Sequence, residues 1–108
     1  MPFHVTPAVN VPRILKEGLV PQIGARSGLM EQEDGVYLFR ELADVGNALD
    51  NWLEEEFDED EKLSLLEVTV PPGANTLPTT ADYEVVVADP IPPKYIKVLY
   101  ADLDEVSL

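Results

Sequence analysis

The chain contains no cysteine. Disulfides, thiol nucleophiles and cysteine-based metal sites are excluded, and the composition fits a reducing compartment. Basic residues are scarce too: 7 lysines and arginines stand against 21 acids, a formal net charge of −14. Nucleic-acid binding ordinarily needs a basic face, so this balance argues against phosphate backbones as partners, and equally against anionic membranes. Three readings of the acidity remain: solubility, adaptation to a salty host, or a surface for a basic partner. No apolar run approaches the roughly 20 residues needed to span a bilayer. Met1 leads straight into an alternating segment rather than a signal peptide. The expectation is a soluble, cytoplasmic protein with no membrane partner.

At 108 residues the chain reads as a single domain, 1–108, able to bury roughly two thirds of its unfolded surface. Phe3-His4-Val5-Thr6 alternates like a strand and Pro7 ends it. A short helix follows, with Asn10 as N-cap, Pro12 in the first turn, Val11, Ile14 and Leu15 as its apolar stripe, and Gly18 as C-cap. Pro21 to Asp34 is long for a connection in a compact domain, which makes it a candidate functional loop. Gly35 to Phe39 reads as a second strand. Leu42, Val45, Leu49, Trp52 and Leu53 then recur at helical spacing, starting near Glu41. That helix runs out into the acidic stretch 54–61, where negative charge opposes the helix dipole; the stretch reads as a solvated loop or a docking patch for a basic partner.

Leu63 to Val70 reads as a third strand, with Leu66, Val68 and Val70 on one face and Leu65, Glu67 and Thr69 on the other. Ala74 to Ala81 is a polar connection, Tyr83 to Ala88 a fourth strand, and Tyr95 to Ala101 a last one, after a rigid proline-rich link. This order lacks the regular alternation of a parallel doubly wound sheet. It predicts an α+β domain: a mostly antiparallel sheet with two helices packed against it.

Three polar residues interrupt otherwise apolar strand patterns: His4 in "FHVT", Tyr37 in "GVYLF" and Glu84 in "YEVVVADP". A carboxylate leading a run of valines is costly to bury unless it is paired or used. Each residue also has a purely structural reading. His4, the one histidine, suits a satisfied strand imidazole. Tyr37 suits a core aromatic with its hydroxyl bonded. Glu84 suits a charge at a strand end.

Taken in order, His-x-Thr, "ILKEGL", "GVYLF", "LLEVTV" and a glutamate followed by "VVVADPIPP" resemble the catalytic core of ADP-ribosyltransferases with a His-Tyr-Glu signature. That class includes the poly(ADP-ribose) polymerases and the diphtheria-toxin group. The tail "EVVVADPIPPKYI" is also similar to DNA-modifying ADP-ribosyltransferase toxins and RNA 2′-phosphotransferases. The likeness spans about residues 3–99. It implies a small split β-sheet, with NAD⁺ as substrate and no metal. It implies that Glu84 bonds the ribose 2′-hydroxyl and stabilises the developing oxocarbenium charge. Tyr37 would stack on the nicotinamide, His4 would bond the adenosine-side ribose, the backbone at Val5 would grip the carboxamide, and Thr6 would brace the strand or touch the cofactor. Arg26 would pair with a phosphate, and Asp82 would orient the acceptor. The chain departs from the 2′-phosphotransferases in lacking their several arginines and basic cleft.

The implied activity is toxin-like mono-ADP-ribosylation, with a protein acceptor favoured over a nucleic acid. The alternatives are a non-catalytic module of the same fold, whose acidic surface engages a basic partner, and an NAD⁺ glycohydrolase that uses water as acceptor.

Overall fold

The computed structural model describes residues 2–21, 35–51, 61–79 and 82–103. Their strands are β1 (Phe3–Pro7), β2 (Val36–Phe39), β3 (Leu63–Val68), β4 (Thr76–Leu77), β5 (Glu84–Val87) and β6 (Ile96–Tyr100). The helices are α1 (Val11–Glu17) and α2 (Leu42–Asn51). All pairings are antiparallel, in one six-stranded sheet of order β4-β5-β2-β1-β3-β6. The fold is α+β.

The helices cover opposite faces of the sheet. On one face Ile14 of α1 packs with Leu38, Leu66, Val68, Val87, Ile91 and their neighbours. On the other, Val45 and Ala48 of α2 pack with Phe3, Val5, Phe39 and Leu65. This explains why β3 reads as an almost continuous apolar run. Leu65 and Leu66, adjacent in sequence, are both fully buried because each face has its own helix.

Inside that sheet the β1–β2 seam is the weak one. β1 pairs with β3 along its full length, from Phe3↔Glu67 to Pro7↔Leu63. β2 pairs with β5 from Val36↔Val87 to Phe39↔Glu84. Between β1 and β2 the register holds a single pair, Phe3↔Phe39. The sheet thus divides into two well-laddered halves, β4-β5-β2 and β1-β3-β6, joined at one end of the seam.

Several expectations need correction. β4 falls within what reads as a polar connection: Thr76 and Leu77 pair with Val87 and Val86. Asn10 does not cap α1 with its side chain. A 3-10 turn, Ala8–Asn10, feeds the helix, and Asn10 itself sits in the helical region. Leu15 is 44% exposed rather than part of the apolar stripe, since so short a helix turns only Ile14 fully into the core. Gly18 does end α1, at φ +86. A Cβ there would also collide with the carbonyl of Ile91, because Leu19 and Ile91 exchange backbone bonds of 2.9 and 2.8 Å right beside it. At the start of α2, Asp44 Oδ2 accepts the Glu41 N–H at 3.0 Å, which supplies a partner to an otherwise orphaned donor. The loop 22–34, Trp52 and Leu53, and residues 54–60 of the acidic stretch lie outside the described residues.

Candidate functional site

Backbone direction fixes which groups of β1 and β2 face each other. Just after β2, the Arg40 N–H donates to the Tyr83 carbonyl at 2.8 Å. Even-numbered residues of β2 therefore turn their backbone groups to β5, while Tyr37 and Phe39 turn theirs to β1. Just before β1, the Pro2 carbonyl accepts the Val68 N–H at 2.9 Å. His4 and Thr6 accordingly face β3 with their backbone, and Phe3 and Val5 face β2. Beyond the Phe3↔Phe39 pair, the backbone N–H and C=O of Val5 and of Tyr37 point toward each other's strand.

His4 links the two strands here. Its Nδ1 donates to the Tyr37 carbonyl at 3.2 Å, so a side chain meets a group that a continuous ladder would have satisfied from the backbone. Donation from Nδ1 leaves Nε2 as the acceptor in the neutral ring. Burial of the half-buried imidazole pushes its pKa below the ordinary value of 6.5, and the bond to Tyr37 offsets only part of that fall. His4 is held as a neutral, oriented imidazole.

Strand alternation places Tyr37 and Glu84 together. Tyr37 lies opposite Val86, and Glu84 opposite Phe39. Tyr37 and Glu84 are thus diagonal neighbours on the α2 face, a spacing of roughly 7–8 Å that long side chains cover. Glu84 is half-buried, and Oε1 accepts the Thr79 hydroxyl at 3.1 Å. Tyr83, just before it, stacks on Phe39 with centroids 6.1 Å apart.

The same alternation sets His4 on the other face. It is paired with Leu66, which belongs to the α1 side. His4 therefore joins Tyr37 through that residue's carbonyl at the seam, whereas Glu84 shares the α2 face with Tyr37. Val5 is buried and Thr6 is buried against its partner Ser64.

Asp82 is exposed and lies with Tyr83 in a turn, because β5 begins only at Glu84. Extended-strand alternation consequently does not relate the Asp82 and Glu84 side chains. Arg26 lies outside the described residues. Two contributors were missed in the sequence. Thr79 touches the Glu84 carboxylate, and Arg40, one of three arginines, reaches the Asp82 and Glu84 carbonyls. Only the position of Arg40, directly after "GVYLF", hints at its proximity.

On the α2 side, a half-open cavity of about 170 Å³ is lined by Asp44, Asn47, Ala48, Asn51 and Tyr83. It adjoins Tyr83 and is not lined by the three signature residues. Among the described residues, no group of three or more acidic or histidine side chains is placed to hold a metal ion, and no helix is long and apolar enough to cross a membrane. No protein-family model matches the chain, and neither a curated protein nor a solved structure matches it.

Proposed function

We propose that the chain is an NAD⁺-dependent mono-ADP-ribosyltransferase of the His-Tyr-Glu class, with an ADP-ribosyltransferase-like fold. The observation that carries this reading is the β1–β2 seam, where the register holds one pair and His4 bonds the Tyr37 carbonyl, with Glu84 on the same face as Tyr37.

In this reading NAD⁺ lies across the mouth of the seam. His4 offers Nε2 to a ribose hydroxyl of the adenosine half. The seam-facing N–H and C=O of Val5 suit the carboxamide of nicotinamide, which carries one donor group and one acceptor. Tyr37 stacks on the nicotinamide ring. Cleavage breaks the bond between the ribose anomeric carbon and the ring nitrogen, and nicotinamide leaves with the electron pair. Glu84 accepts a hydrogen bond from the ribose 2′-hydroxyl as positive charge spreads over the sugar. The acceptor nucleophile then bonds to the anomeric carbon and gives up its proton to Glu84 or to solvent. The net charge of −14 favours a protein acceptor over a nucleic acid. Arg26 would meet the diphosphate.

A second reading has its own observation. His4 arises from the face opposite Tyr37 and Glu84, and its Nδ1 is committed to a backbone carbonyl. A binding module that keeps the fold without the reaction would need nothing more of it, and would use its acidic surface on a basic partner. Hydrolysis of NAD⁺ differs from transfer only in having water as nucleophile.

Nicotinamide release from NAD⁺ by the native chain and by Glu84→Ala separates these. Transfer or hydrolysis predicts a loss of about two orders of magnitude or more in the variant, from removal of one transition-state contact. Equal rates in the two proteins would remove Glu84 from the chemistry. Thermal stabilisation by NAD⁺ should accompany turnover, and a chain that neither turns over nor responds to NAD⁺ fits the module instead.

A further inference from the structure

Arg40 binds three consecutive carbonyls. Its backbone N–H donates to Tyr83 O at 2.8 Å, its Nε to Asp82 O at 3.1 Å, and its Nη2 to Glu84 O at 3.3 Å. The Tyr83 carbonyl belongs to the peptide unit that enters Glu84, and the Glu84 carbonyl to the one that leaves it. A peptide unit is planar, so holding both units fixes the two soft dihedrals at Glu84, and with them the direction of its Cα–Cβ bond. Thr79 meets the far end of the same side chain at Oε1. Root and tip of Glu84 are thereby held by different residues, at the point where a turn becomes a strand.

The donors used are adjacent on one edge of the guanidinium. That edge presents two parallel N–H groups at fixed spacing, which suits carbonyls two residues apart. A lysine at this position keeps the charge but supplies a single ammonium in place of the fork. From this geometry we propose that Arg40 is a positioning residue that aims the Glu84 carboxylate. The kinetic part of the proposal rests on the NAD⁺ reading above; the geometric part does not.

The test compares the native chain with Arg40→Lys and with Arg40→Ala, the latter with and without added guanidinium. Two readouts are taken: nicotinamide release, and NMR relaxation of the Glu84 side-chain carbons without NAD⁺. In Arg40→Lys the expected results are a kcat about 100-fold lower, as for a misplaced catalytic group, and a KM for NAD⁺ within about threefold. Glu84 should lose side-chain order in both variants, and guanidinium should restore part of the Arg40→Ala rate. A raised KM at unchanged kcat would overturn the proposal, because Arg40 would then be binding the dinucleotide rather than aiming the carboxylate. Native order of Glu84 in Arg40→Lys would overturn it too, whatever the rates. If the native chain releases no nicotinamide, the NAD⁺ reading falls alone, and the NMR comparison by itself upholds or overturns the role of Arg40.

Discussion

Replacing His4 by asparagine and by alanine separates two things the imidazole does. It bonds the Tyr37 carbonyl across the β1–β2 seam, and its partial burial resists protonation. Alanine removes this donor from the Tyr37 carbonyl. The bond, at 3.2 Å, is at the long end of the range, so the loss should fall within the net worth of one hydrogen bond, about 0.5–1.5 kcal/mol. For a domain of this size that is a fall in Tm of about 4–8 °C per kcal/mol. Asparagine places an amide N–H close to where Nδ1 sits, and should lose only about half as much.

The pH dependence follows from the lowered pKa of His4. Between the native value and the ordinary 6.5, the unfolded chain binds a proton that the native chain does not. The native protein therefore keeps its stability above that window and loses it as pH falls below about 6.5, by at most about 1.4 kcal/mol per pH unit. Asparagine cannot titrate. The stability difference between the native chain and His4→Asn should hence shrink or reverse in acid, while the many carboxylates affect both proteins alike. Urea melts from about pH 7.5 to about pH 5 measure this directly. Parallel stability curves for the two proteins would refute the buried imidazole, and an alanine variant as stable as the native chain would refute the bridge.

Two further expectations concern the scaffold. Gly18→Ala should cost at least about 1–3 kcal/mol in chemical denaturation, since it combines a positive φ with a clash against the Ile91 carbonyl; a neutral result would mean that the Leu19–Ile91 bridge is dispensable. Leu66→Ala, at a fully buried site on the α1 face, should cost about 2–5 kcal/mol by cavity formation, and a loss under 1 kcal/mol would contradict the two-faced core.

Most of the secondary structure was legible because burial imposes a period. The stripe of α2 and the alternation of β1 follow from which side must meet the core. β4 was not legible, since two residues carry no period and Thr76–Leu77 form a strand only because β5 lies beside them. The order of the strands and the placing of one helix on each face were equally hidden, for they depend on pairings between residues far apart in sequence. The site divides in the same way. His4, Tyr37 and Glu84 stood out as polar groups in apolar strands. Alternation alone told which residues of one strand share a face, but only the register between strands shows that Tyr37 and Glu84 lie together while His4 reaches them from the other side. Arg40 left no such mark, because its partners are backbone carbonyls, which every residue has.

A crystal structure of the chain with a non-hydrolysable NAD⁺ analogue would show where the cofactor sits. The dinucleotide is expected across the β1–β2 seam, with nicotinamide on Tyr37, the adjoining ribose 2′-hydroxyl bonded to Glu84, and the adenosine ribose at Nε2 of His4. An analogue bound away from the seam, or a seam still empty at saturating analogue, would contradict this placement.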